Sequence, residues 1–303
     1  MRAGAGRTAA VDGRAGLSTS TLRISSHGAG APAVVLEPGM GASGIGWSRV
    51  RDRLAGRTRV ITYDRAGLGD SPPAPGDRGI AALATDLATV LAEAEAAPAV
   101  VVGHSLGATI ARQLAATRPE LVAGLVLIDP IPEQWVLKHA WWAEPIGRLM
   151  YRSLATLARH GLMDAITALP GASTLTRSST SPLAGFTAAE RAVLAEEMRR
   201  PHHHLAAGRE YTGLLRSRAD LLALRRASTS VPCTVLSGGQ AAWWSGSLRR
   251  TATTWHARLA RGGRHVVVPG GGHFLPRYQP EVVVGAVEEV IAGLVGAPVG
   301  FGG

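Results

Sequence analysis

Three residues at the ends of apolar runs, Ser105, His273 and Asp129, have the types needed for nucleophilic chemistry. Ser105 stands in "AVVVGHSLGATIARQL", residues 99 to 114. Ala99 to Val102 form an uninterrupted apolar run, as in a strand covered on both faces, and Leu106, Ile110 and Leu114 then recur at helical spacing until Pro119 stops them. The serine therefore falls on a turn from strand to helix. Such a turn leaves little room two residues to either side, and Gly103 and Gly107 occupy those places, completing the G-x-S-x-G nucleophile elbow. The helix N-terminus and the N–H of Leu106 would face the point where negative charge develops on an attacked carbonyl.

A serine hydroxyl is a poor nucleophile until a base takes its proton, and that base is usually a histidine held by a carboxylate. Ten histidines compete. His273, in "VVVPGGGHFLPRYQPE", follows a strand through three glycines, which places it on a loop at the same sheet edge as Ser105, where ligand chemistry gathers in open α/β sheets. His104 adjoins the serine on a turn expected to point it elsewhere. His202, His203 and His204 are consecutive, whereas ligands on one helix face need i, i+4 spacing, so a solvated cluster is expected and no metal site. No Asp or Glu lies between Asp220 and Glu281, so the loop "SGGQAAWWSG" cannot supply the acid. The next position on that edge is the end of "GLVLIDPIPEQW", where Asp129 terminates the run and keeps the chain order Ser, acid, His; Glu133 is the substitute. A second oxyanion donor is expected from "VVLEPGMGASG", where Gly39 and Gly41 allow close approach and Met40 offers its N–H.

The elements that must position these groups alternate along the chain. Apolar runs at 32–37, 58–64, 98–103, 123–129, 231–236 and 264–269 are separated by helical patterns, which predicts an α/β fold with a mostly parallel, doubly wound sheet. Leu83, Leu87, Val90 and Leu91 mark the core stripe of one helix, and Val283, Val287, Val290, Ile291 and Leu294 that of the last, with Pro280 near its start. Between about 131 and 225 the alternation fails and only helical segments remain, one of them opened by Thr187 and Glu190 at capping-box spacing. The expected organisation is a disordered leader over 1–20, a core over 21–130 and 226–303, and a helical cap over 131–225. Trp135, Trp141, Trp142, Met150, Leu162 and Met163 are candidates for the cap's lining of a pocket, with Trp243 and Trp244 approaching from the core side.

Composition narrows the remaining classes. At 303 residues, 46% hydrophobic and 18% charged, the chain can bury a full core. A formal charge of +10 raises nucleic-acid binding, but Lys138 is the only lysine and the arginines are scattered, without aromatic interleaving, so no nucleic-acid partner is expected. No apolar run approaches the roughly 20 residues of a membrane span, and no apolar segment marks a signal peptide, so no membrane partner and a cytoplasmic location are expected. Cys233, the single cysteine, reads as a buried strand residue.

On "LEPGMG", "YDRAGLGDS", "GHSLG", "VAGLVLIDP" and "GGGHF", the chain resembles the α/β-hydrolase superfamily, in particular bacterial serine hydrolases of the esterase and peptidase-like group, over about residues 30–130 and 225–295. The resemblance implies Ser105 as nucleophile, His273 as base, Met40 and Leu106 as oxyanion donors, and Asp64 to Ser71 as a structural loop beside the site. Two departures stand out. Pro38 replaces the usual histidine before the oxyanion glycine, and the usual acid after the penultimate strand is missing, although members like this chain can carry it one strand earlier. Dehalogenases and epoxide hydrolases of the same fold use an aspartate nucleophile, which Ser105 opposes. No cofactor or metal is implied. The expected substrate is a small to medium hydrophobic ester. A thioesterase, lactonase, amidase, carbon-carbon hydrolase or acyltransferase would use the same residues, and a ligand-binding sensor on the same fold is the alternative outside catalysis.

Overall fold

The structure, a computed structural model, describes residues 22–76, 78–167, 185–227, 230–239, 246–259 and 263–296. The leader expected over 1–20 and the Trp243 and Trp244 pair lie outside these residues.

Strands β1 (Ile24–His27), β2 (Val34–Glu37), β3 (Val60–Tyr63), β4 (Ala99–His104), β5 (Val122–Ile128), β6 (Cys233–Gly238) and β7 (Arg264–Val268) form a seven-stranded sheet in the order β1-β3-β2-β4-β5-β6-β7. All neighbours pair in parallel except β1, which runs antiparallel to β3. Each of the six apolar runs read from the sequence overlaps a strand, and β2, β3 and β4 are buried at every residue. The additional strand is the edge strand β1, "ISSH", whose polar residues give no apolar run.

Helices cover both faces. On one side, α2 (Ile80–Glu93) and α3 (Leu106–Thr117) pack with Leu83, Leu87, Val90, Leu91, Ile110 and Leu114 essentially inaccessible. On the other, α1 (Ser48–Leu54) meets the last helix, Pro280–Gly296, through Val50, Leu54, Val283 and Val287. Cys233 is buried, which pushes its thiol up to about 11 and leaves it protonated at neutral pH.

Between β5 and β6 the described residues carry no strand and form five helices: α4 (Glu133–Arg159), α5 (Met163–Thr167), α6 (Ala188–Arg199), α7 (Pro201–Arg216) and α8 (Arg218–Leu224). The capping box at α6 is formed, with Thr187 Oγ1 accepting from the N–H of Glu190 and the Glu190 carboxylate accepting from that of Thr187. Helices α4 and α7 approach closely because small residues face tyrosines. A Cβ on Gly147 would stand 2.0 Å from the Tyr211 ring, and one on Gly208 2.7 Å from Tyr151. After β6 come α9 (Gly246–Leu259), β7, the short α10 (Leu275–Tyr278) and α11 (Pro280–Gly296).

Candidate active site

Ser105 occupies the turn between β4 and α3 with φ +56° and ψ −112°, a conformation non-glycine residues rarely hold. Its neighbours make that turn possible. A Cβ on Gly103 would lie 2.4 Å from the Gly107 carbonyl oxygen, and one on Gly107 2.3 Å from that of Glu37, so both places need glycine for lack of space. The strain is held by backbone: the Ser105 N–H donates to Ile128 O at 2.9 Å, tying the elbow to β5. Leu106 opens α3, where a first-turn N–H has no partner within the helix.

Asp129 follows β5 directly, also at positive φ (+42°), and its N–H is fixed by Leu236 O of β6 at 2.7 Å. Its carboxylate accepts from His273 Nδ1 at 2.6 Å, within the range of a charge-assisted hydrogen bond. Asp129 Oδ1 also faces the N–H of Gly238 at 3.4 Å. Glu133 goes elsewhere, forming a buried ion pair with Arg112 of α3. Ser105, Asp129, His273 and Met40 line one cavity of about 680 Å³, together with Trp135, Met150, Tyr151, Tyr211 and Leu214.

His104 does not line the cavity that Ser105 lines, and it packs instead behind the loop that carries His273. Its Nε2–H donates to the backbone carbonyl of His273 at 2.8 Å, and the two rings lie 4.7 Å apart. Burial, and then the charge of His273, push the His104 imidazole down to about 3, so it is neutral at working pH and holds the loop as a hydrogen-bond donor. His256, which lines the same cavity, holds the backbone of Pro130, the residue after Asp129. His256 Nε2 lies 2.9 Å from the Pro130 carbonyl, which can only accept, so the proton is on Nε2 and Nδ1 accepts from Ser237 Oγ at 2.6 Å. Ser237 Oγ in turn accepts from His265 Nε2 at 2.8 Å.

The glycine loop 38–41 is held from beneath by Arg65, which is fully buried. Its five N–H groups are all engaged: Nε and Nη2 on Glu210 (2.6 and 2.9 Å), Nη1 on Glu37 and Pro38 O (both 2.7 Å), and Nη2 on Gly39 O (2.6 Å). In a trans peptide the carbonyl and the following N–H point opposite ways, so drawing Gly39 O toward Arg65 turns the N–H of Met40 away from it. Glu210 also accepts from the N–H of Gly41 at 2.9 Å, and Tyr63 donates to Glu37. Burial pushes the Glu37 carboxyl up, against the pull of Arg65. Thus an arginine supports, through Pro38 O, the loop in which the resemblance expects a histidine. Asp64 to Ser71 is a braced loop as expected: Asp64 accepts from the N–H of Gly44 (2.7 Å) and Asp70 (3.0 Å), and Ser71 Oγ donates to Asp64 O.

Several sequence expectations need correction. His203 and His204 are not solvated: α7 buries both, His204 Nε2 donates to Met198 O at 2.7 Å, and burial pushes His203 down to about 4. Trp135 and Met150 do line the cavity, but Trp141 and Trp142 do not, because Ala143 and Gly147 form the buried side of α4 and turn the tryptophans outward. Met163 is buried away from the cavity lining and Leu162 is exposed. Among the described residues, no group of three or more His, Cys, Asp or Glu is arranged to hold a metal ion, and no helix is long and apolar enough to cross a membrane.

A doubly wound sheet with a serine at a strained strand-to-helix elbow, and a histidine–aspartate pair at the same edge, defines a class of hydrolases. The chain belongs to the alpha/beta hydrolase family, whose model matches residues 34–286. Among curated proteins it is 41% identical over 101 residues to the Klebsiella pneumoniae (strain 342) protein named "Putative carbamate hydrolase RutD", covering 33% of this chain and 38% of that one. It is 37% identical over 103 residues to the Mus musculus sn-1-specific diacylglycerol lipase ABHD11, covering 33% of each. The matches thus span about a third of these relatives' length. Among solved structures, an esterase from Thermogutta terrifontis is 25% identical with a TM-score of 0.62, covering 91% of this chain and 97% of that one. The epoxide hydrolase CorEH, 22% identical with a TM-score of 0.69 over 91% of this chain and 98% of its own, shares the fold.

Proposed function

We propose that this protein is a serine hydrolase cleaving a small to medium hydrophobic carboxylic ester through an acyl-enzyme. The observation that carries this reading is the 2.6 Å bond from His273 Nδ1 to Asp129, at the wall of the cavity that Ser105 also lines. Ser105 Oγ passes its proton to His273 Nε2 and attacks the carbonyl carbon, and the oxyanion is received by the N–H groups of Met40 and Leu106. His273 returns the proton to the departing alkoxide, which leaves as the alcohol. Water, deprotonated by His273, then attacks the acyl-enzyme, releasing the acid and restoring Ser105. Asp129 keeps the imidazole in the tautomer that leaves Nε2 free and stabilises the imidazolium while it exists.

The apolar walls contributed by Trp135, Met150 and Leu214 suit a hydrophobic acyl or alcohol group, and the cavity volume is that of a small-molecule site. The carbamate hydrolase, lipase and esterase names of its relatives all describe attack on an acyl carbon, in keeping with a serine at the elbow. The test is turnover of p-nitrophenyl esters of graded chain length by the wild type and by Ser105→Ala. Turnover that vanishes in the variant supports the reading; equal turnover in both overturns it. A wild type that binds such esters tightly without cleaving them would favour a ligand sensor.

A further inference from the structure

We propose that the outward face of α4 is a docking surface for an anionic lipid membrane. This goes beyond the hydrolase reading and does not depend on it, and it departs from the expectation that the chain has no membrane partner. Trp141 is 81% exposed, Leu149 69%, Ile146 61% and Trp142 39%, a concentration of large apolar side chains in solvent on one helix. At 3.6 residues per turn these four fall on one face, opposite the buried Val136, Ala143, Gly147 and Ala158. The exposed cations Lys138, Arg152 and Arg159, spaced by fourteen and seven residues, share that face.

Charge decides the occupant. The helix has two acids, and both lie off this face: Glu133 is buried against Arg112, and Glu144 pairs with Arg148 and Arg216. Among the described residues, no carboxylate pairs with Lys138, Arg152 or Arg159. A two-fold contact of the face with its own copy would set cations against cations with no acid to offset them. A surface of anionic headgroups over acyl chains complements both features: Trp, Ile and Leu sink to the headgroup boundary while the cations meet phosphates. The formal charge of +10 adds long-range attraction. The cavity reaches the surface beside this face, because Lys138 and Met150 line it and are themselves exposed.

The test is co-sedimentation of the full chain with vesicles of mixed phosphatidylglycerol and phosphatidylcholine, against phosphatidylcholine alone. The wild type is expected to bind the anionic vesicles at least tenfold more strongly, and less as salt rises. Trp141→Ser with Leu149→Ser should lower binding at least tenfold while leaving the circular-dichroism melt intact. Arg152→Gln with Arg159→Gln should lower it by about fivefold per cation removed, with the same melt. Absence of wild-type binding to anionic vesicles, or binding unchanged in both double variants, overturns the proposal. So does a wild-type dimer in sedimentation velocity that Trp141→Ser with Leu149→Ser dissociates, since a second copy would then cover the face.

Discussion

Arg65 beneath the glycine loop and Lys138 on the cap are both cations beside one cavity, yet their settings are opposite. Arg65 is inaccessible, with every N–H committed to Glu37, Glu210 and the carbonyls of Pro38 and Gly39. Lys138 stands in solvent on the helix face that carries Trp141 and Leu149. The same contrast runs through the two regions. At the sheet edge, strained backbone at Ser105 and Asp129 is held by strand hydrogen bonds, and the buried His104 and His256 hydrogen-bond backbone carbonyls. On the outer cap, apolar groups are exposed and charges lie loosely around them. A site that must hold reacting atoms in place is over-determined, whereas a surface that meets a partner leaves its groups unspent until contact.

Substitutions at the edge should therefore cost far more than substitutions on the cap. The largest expected effect is Asp129→Asn, which keeps the shape but lets the imidazole adopt the wrong tautomer: kcat should fall by about 10⁴-fold, the loss this change causes in a Ser-His-Asp triad, with the melting temperature nearly unchanged. Arg65→Met comes next. It strands Glu37 and Glu210 as buried unpaired carboxylates, and about 3–5 kcal/mol of folding free energy should be lost, read from urea unfolding. If Arg65→Met kept both stability and turnover, the bracing of the loop would be an incidental ion pair.

A smaller effect tests where cap and core are joined. Glu197 of α6 accepts from Ser43 Oγ at 2.8 Å, and burial pushes its carboxyl up from 4.5 to about 7. With the folded value above the unfolded one, the native state binds the proton more tightly. The stabilisation is therefore complete below about 4.5 and lost as pH rises through about 7. Glu197→Gln should remove that loss, on the order of 2 kcal/mol, flattening stability between pH 5 and 8 relative to wild type. The smallest effect belongs to the outer cap: Leu149→Ser should change folding stability by less than about 0.5 kcal/mol and leave turnover of a soluble ester unaltered.

Legibility in the sequence follows from how local each signal is. Strands β2 to β7 announce themselves as apolar runs, and the elbow is legible because Gly103 and Gly107 flank Ser105 at a fixed spacing, although the backbone that crowds Gly107 is that of Glu37 and Pro38, far away in the chain. Asp129 is legible only by elimination along a stretch without acids, because its contact with His273 spans 144 residues. Arg65 lies inside the motif "YDRAGLGDS", but its role depends on Glu210, 145 residues away, and no local pattern marks such a pair. The outward turn of Trp141 and Trp142 had a signal that residue type obscured: Ala143, Gly147, Ala155 and Ala158 mark the packed side of α4, which leaves the tryptophans in solvent. His203 and His204 follow Pro201 at a helix start, and only the packing of α7 on the core decides their burial.

The most direct test of the account is intact-protein and peptide mass analysis of the wild type quenched during turnover of a p-nitrophenyl ester. One acyl group on the peptide containing Ser105, absent when Ser105→Ala is treated identically, is the predicted result. Ester turnover at an undiminished rate by Ser105→Ala, or acylation at a residue other than Ser105, would contradict it.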